Sequence, residues 1–173
     1  MSIVTKTGDK GRTSLCCGRI VDKDDMRVEI CGTLDEVSSF LGVAKNASKD
    51  KNTKRIVHVI QKDLILLGAE VATSARDLNK VKKRISADSI CILEKEIGLL
   101  EGKRAVKIRS FCIPGNGAAS SALDVARAVT RRAERRSVTL LKKRMVKNSN
   151  VVIYLNRLSD LLYLLARFNE KKK

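Results

Sequence analysis

The sequence predicts an all-α protein, an antiparallel five-helix bundle preceded by a glycine-rich N-terminal loop segment. Three observations carry this. Apolar residues recur at helical spacing along most of residues 33–169. The breaks between those stretches are short, and the single proline sits in one of them. Hydrophobic residues make up 43% of the 173 residues, enough to bury one core and too many for a disordered chain. Amphipathic helices joined by short links pack against one another in alternating directions. No internal repeat or interdomain linker is visible, so one domain is expected.

The first 32 residues are rich in Gly, Thr and Lys and support short β-like stretches at most. Thr33 and Glu36 then have capping-box spacing, in which the Thr hydroxyl accepts from the Glu36 N–H and the Glu side chain reaches back. The first helix is expected to start there, with Leu34, Val37, Leu41 and Ala44 on one face. A second is expected over 52–77 on Ile56, Ile60, Leu64, Leu67 and Val71, followed by the basic link K-V-K-K-R at 80–84. A third starts near Ser86, carries Ile90, Leu93, Ile97 and Leu100, and stops by Gly102. Pro114 marks a clear break. A fourth helix follows over 118–146, with Ala122, Ala126, Val129, Ala133 and Leu140 as its core stripe. The fifth, over 150–169, sets Val151, Leu155, Leu158, Leu162 and Leu165 on one face.

Composition narrows the function classes. No run approaches about 18 apolar residues, and the start M-S-I-V-T-K-T-G has no apolar signal region, so a cytoplasmic protein is expected. The five cysteines (16, 17, 31, 91 and 112) form no C-x-x-C pair, and His58 is the one histidine. That gives little support to a zinc site, and reduced, mostly buried thiols are expected. With 36 Lys and Arg against 19 Asp and Glu, the formal charge is +17, which attracts polyanions. Two Tyr, three Phe and no Trp argue against a stacking platform for single-stranded nucleic acid, while leaving duplex backbone binding open.

Four stretches can carry chemistry. In T-K-T-G-D-K-G-R-T-S-L (5–15), Gly11 is followed by Arg12 and no buried strand precedes Gly8, so this is not a P-loop. Glycine still lets backbone N–H groups approach an anion, so the stretch reads either as a phosphate-binding loop or as an ordinary turn. Arg127, Arg131, Glu134 and Arg135 share one face of the fourth helix, beside its alanine stripe. They read as an oligophosphate clamp or as a solvated basic face. Asn156, Arg157 and Asp160 are polar positions in a leucine-rich helix, either a structural network or a site. Phe111-Cys112-Ile113-Pro114-Gly115 is a functional apolar loop or a tight link. There is no Ser-His-Asp set and no H-E-x-x-H motif, so a reaction here would run on positioning and charge stabilisation.

Together these stretches resemble the PduO-type ATP:cob(I)alamin adenosyltransferases. Four blocks match in order: 5–15; R-V-E-I-C-G-T-L-D-E-V-S-S at 27–39; F-C-I-P-G and A-L-D-V-A-R-A-V-T-R-R-A-E-R-R within 111–136; and Y-L-N-R-L-S-D-L-L-Y-L-L-A-R at 154–167. Residues 45–105 match in character only. The resemblance implies a ferritin-like, cobalamin-adenosyltransferase-like bundle over 33–169, a nucleotide-binding segment over 1–32 and a basic tail at 170–173. It implies transfer of the 5′-deoxyadenosyl group of ATP to the cobalt of a reduced corrinoid, with release of triphosphate. It also implies a homotrimer with sites between subunits, and no protein-only metal site, Mg²⁺ being expected on the ATP phosphates.

Residue by residue, the resemblance places Thr5, Lys6, Thr7 and Gly8 in an N-terminal ATP loop, with Thr13, Ser14 and Lys23 as further nucleotide contacts. Arg131, Arg132, Glu134 and Arg135 fall in the nucleotide-binding helix, and Asn156 on the last one. Asp35 and Arg127 match a carboxylate–arginine pair joining neighbouring subunits. Phe111 matches the apolar residue that keeps the lower face of cobalt without a ligand, which eases reduction of Co(II). A corrinoid reductase and an adenosylcobalamin-dependent mutase are the implied partners, without a membrane. Three features depart from the pattern. Asn116 stands where many relatives have Gly or Ser, Asp124 where many have His, and the chain ends at Lys173 where some continue. The alternatives are a non-enzymatic corrinoid carrier of the same fold and a basic helical nucleic-acid-binding protein.

Overall fold

The computed structural model describes residues 4, 6–74, 76–102 and 112–170. Its elements are a small hairpin, β1 (Arg12–Ser14) and β2 (Ile20–Asp22), and five helices: α1 (Met26–Ala47), α2 (Lys51–Val71), α3 (Ala87–Glu101), α4 (Ala118–Lys142) and α5 (Asn150–Phe168). The strands pair antiparallel, with Thr13 opposite Val21.

α1 starts earlier than its capping-box spacing predicts. Asp25 is the N-cap and accepts from the Arg27 N–H at 2.8 Å. Thr33 lies inside the helix, its hydroxyl donating to the Glu29 carbonyl at 2.7 Å. The physical reason is that Met26 and Ile30 extend the stripe of Leu34, Val37 and Leu41 toward the N-terminus, and Ile30 is fully buried. α2 ends at Val71 rather than 77, because Thr73, Ser74, Arg76 and Asp77 supply no apolar residue to continue its stripe.

α3 starts as expected, with Ser86 and Ser89 forming a reciprocal cap. α4 ends at Lys142, four residues short of the expected boundary. Arg144 takes a left-handed conformation (φ 55°), and the Met145 N–H turns back to the Leu140 carbonyl at 2.9 Å. This tucks Val146 into the core. The buried Arg27 donates to the Met145 carbonyl at 3.0 Å, holding that corner against α1.

The packing pairs are α2 with α1, α1 with α4, α4 with α5, and α5 with α3. The Arg55–Glu96 ion pair at 2.5 Å joins α2 to α3 and closes the circle. Inside it lie Leu41, Ile60, Leu67, Leu93, Leu123, Leu155 and Leu158, all fully buried. Tyr154 is buried among them and donates to Asp63 at 3.0 Å, linking α5 to α2 through the middle of the bundle. At one end, Glu70 accepts from the Ile85 N–H (3.2 Å) and from Asn148 (2.9 Å), so the α2–α3 and α4–α5 links are held together.

The thiols correct one expectation. None of the five cysteines forms a disulfide, but Cys16, Cys17 and Cys91 are exposed, and Cys31 and Cys112 are half-buried. Cys31 packs against the edge of the core, and Cys91 lies beside the α3 stripe, next to the buried Ile90. Among the described residues no helix is long and apolar enough to cross a membrane.

Candidate functional site

The N-terminal segment is a turn followed by the hairpin. The Gly11 N–H bonds the Gly8 carbonyl at 3.2 Å, and Gly11 has φ +74°, a conformation that suits glycine. The Lys23 N–H bonds the Gly11 carbonyl at 2.8 Å, which brings β2's end back beside the turn. The Lys23 ammonium lies over Gly8, where a Cβ would meet its Nζ at 2.9 Å. Thr13 and Ser14 sit on β1 alongside. So Lys6, Thr7, Gly8, Thr13, Ser14 and Lys23 form one largely exposed group with backbone amides, hydroxyls and ammonium groups together. Thr5 and Phe111 lie outside the described residues.

The arginine stripe on α4 divides over two clefts. Each i to i+4 step rotates a side chain by about 40°, so Arg127 and Arg135 point apart. The first cleft, about 450 Å³, lies among α3, α4 and α5 and is lined by Arg127, Arg131, Arg157, Asp160 and Tyr163, among others. The second, about 580 Å³, is walled by Pro114, Val125 and Ala128 with Arg127, Arg132 and Arg135. Gly115, with φ +126°, turns the loop that forms its edge. A single-face reading of 127, 131, 134 and 135 is therefore too simple: Arg131 faces the first cleft, Arg135 the second, and Arg127 lines both.

Partners separate these arginines further. Arg132 pairs with Glu36, and Arg136 with Glu29 while donating to the Thr33 hydroxyl at 2.9 Å. Arg157 donates to Glu94 at 2.9 Å and to the Asn156 side-chain Oδ1 at 3.0 Å, and the Asn156 amide nitrogen in turn donates to Glu134 at 3.0 Å. This chain of contacts ties α4, α5 and α3 beside the first cleft. Arg131 and Arg135 are exposed, and among the described residues neither has a carboxylate partner. They are the guanidinium groups left for an external anion.

Asp35 is not beside Arg127 in the chain. It is exposed on the side of α1 that forms a third cleft with Leu64, Ile65 and Gly68 of α2. Arg127 instead donates to Asp124 at 3.3 Å. The N-terminal group also packs away from Arg131, its Cys16 N–H bonding the Ala72 carbonyl at the end of α2 (3.1 Å).

Residues 3–169 match the model of the Cobalamin adenosyltransferase family. The chain belongs to that family. A corrinoid adenosyltransferase from Citrobacter freundii is 39% identical over 97% of this chain and 94% of its own length. Corrinoid adenosyltransferase PduO of Salmonella typhimurium is 40% identical over 96% of the chain, which spans only 49% of that longer protein. Among solved structures, a variant PduO-type ATP:corrinoid adenosyltransferase from Lactobacillus reuteri, complexed with cobalamin and ATP, superposes with a TM-score of 0.86. It is 34% identical, covering 96% of this chain and 92% of that one.

Sequence reasoning on this adenosyltransferase-family chain missed three participants. Glu94 lies in the region that matches relatives in character only, and it orients Arg157. Tyr163 lies at 5.9 Å from Arg127 and 5.2 Å from Arg167, measured from ring centroid to guanidinium carbon. Asp124, a departure from the family pattern, proves to be the buried partner of both arginines. The i, i+3 spacing of Asp124 and Arg127 is the one signal in the sequence that points to it.

Proposed function

We propose that this chain transfers the 5′-deoxyadenosyl group of ATP to the cobalt of a reduced corrinoid and releases triphosphate. In this reaction the cobalt lone pair forms a bond to C5′ of ATP. The C5′–O bond breaks and its electron pair leaves on triphosphate, while cobalt passes formally from Co(I) to Co(III). No proton has to be moved, which accords with a site built from arginines, amides and carboxamides rather than an acid–base pair. The observation that carries the reading is Arg131: exposed in a cleft between three helices and lacking a carboxylate among the described residues, while the other two arginines of that cleft, Arg127 and Arg157, each have one.

In this reading Arg131 and the Asn156–Glu134 pair hold the nucleotide. The apolar wall of Pro114, Val125 and Ala128 receives the corrinoid, and Phe111 covers its lower face. Mg²⁺ arrives on the phosphates. The cluster of Lys6, Thr7, Gly8, Thr13, Ser14 and Lys23 supplies the other wall from a neighbouring subunit of a homotrimer, with Asp35 meeting the neighbour's arginine at position 127. Two separations support this: the N-terminal group packs at the end of α2, and Asp35 and Arg127 line different clefts of one chain. The deciding experiment mixes the protein with ATP, Mg²⁺ and chemically reduced cob(I)alamin. Adenosylcobalamin and triphosphate in equal amounts are expected; absence of both refutes the activity, and a monomeric mass in light scattering refutes the shared site.

A further inference from the structure

Asp124 is 4% exposed, and both its oxygens are engaged. Oδ1 accepts from Arg127 Nε at 3.3 Å, and Oδ2 pairs with Arg167 of α5. Arg167 is itself 5% exposed, lies 3.0 Å from Glu170 through Nε, and contacts the Cys112 side chain. Burial would lower the Arg167 pKa, but the Asp124 and Glu170 carboxylates outweigh it and raise the value. Tyr163 lies near both guanidinium groups and limits their movement. A buried carboxylate between two arginines holds each in one place, because either leaving would strip the buried charge of a partner. Arg127 is the residue common to the linings of the two clefts, so its place bears on how their occupants meet.

We propose that Asp124 is a positioning residue for adenosyl transfer: it fixes Arg127 at the boundary of the two clefts, and Arg167 anchors it there. Through Cys112 the same cluster fastens the loop that leads into α4. The inference rests on the reading that the first cleft receives the nucleotide and the second the corrinoid, with Arg127 lining both. Asp124 lies buried at the wall of the second cleft, away from the first; it acts through Arg127, so its loss shows in turnover rather than in affinity for ATP.

The test is steady-state adenosyl transfer to preformed cob(I)alamin, after activity of the unmodified protein has been established. Asp124→Asn is expected to lower kcat roughly 10- to 100-fold, the scale of a misplaced group, with KM for ATP within about twofold of the parent. The paired variant Asp124→Asn/Arg167→Gln removes both buried charges and so protects folding. It should melt close to the parent yet keep the low kcat. In a cycle with Arg127→Ala, the double variant Asp124→Asn/Arg127→Ala should lose no more than Arg127→Ala alone. A folded paired variant with parental kcat overturns the proposal, as does multiplication of the two losses in the cycle.

Discussion

Arg131→Ala separates binding from folding. Arg131 is exposed and lacks a carboxylate partner among the described residues, so its removal breaks no ion pair. Alanine is also the better helix former, so stability should change by no more than about 0.5 kcal/mol. Two charge-assisted hydrogen bonds to a triphosphate, at roughly 1.5–3 kcal/mol each, amount to about 3–6 kcal/mol. At about 1.4 kcal/mol per decade, kcat/KM should fall roughly 10²- to 10⁴-fold. The assay follows adenosylcobalamin formation from preformed cob(I)alamin and titrates triphosphate, with thermal melting of the same samples. Arg136→Ala is the control. It removes the same charge from the same helix, but that guanidinium is already engaged by Glu29 and Thr33. Its turnover should stay within a few-fold of the parent. Near-parental turnover of Arg131→Ala, or an equal loss in Arg136→Ala, would refute the assignment.

Other changes probe separate parts of the chain. Phe111→Ala should slow reactions that start from Co(II) more than those from preformed Co(I); equal losses in the two assays would remove its role at the lower face. Gly8→Ala places a Cβ 2.9 Å from Lys23 Nζ and should raise KM for ATP several-fold without shifting the melting temperature. An unchanged KM would detach the Gly8–Lys23 contact from nucleotide binding. Asn148→Ala leaves the buried Glu70 with one donor fewer, a loss of about 1–3 kcal/mol and several degrees in melting temperature; an unaltered melt would show that water replaces the donor. Burial raises the Asp63 pKa above 3.8, against the lowering effect of the Tyr154 hydroxyl. The folded state therefore holds that proton more tightly than the unfolded chain. Its stabilising contribution is full below about pH 3.8 and is lost as pH rises through the folded value. Asp63→Asn should flatten this part of the urea midpoint–pH curve, and an unchanged slope would assign it to other groups.

The helices were legible because apolar periodicity is a local property of the chain and the core is continuous along it. Boundaries were less legible where a competing signal was equally local. The Thr33/Glu36 spacing imitates a cap, but the buried Ile30 pulls α1 back to Met26. The predicted end of α4 at 146 ignored a left-handed turn at Arg144, where no glycine advertises it.

Residue types with a required chemistry were also legible in the sequence: the Gly8–Gly11 turn, the arginines of α4 and Asn156. Their relation to one another was not. Which arginines carry a carboxylate depends on Glu36 and Glu29 of α1 and Glu94 of α3, which lie 96, 107 and 63 positions away along the chain from their partners. A helical wheel places Arg127, Arg131 and Arg135 side by side but says nothing of neighbours, so it cannot show that two clefts divide them. It likewise cannot distinguish Asp124 from an ordinary surface acid. Sequence alone determined the helix stripes and the inventory of charged groups, because both depend on spacing along one chain. Tertiary structure alone decided which charges cancel and which remain open, because electrostatic pairing depends on distance in space, and packing α1, α3 and α5 around α4 sets those distances.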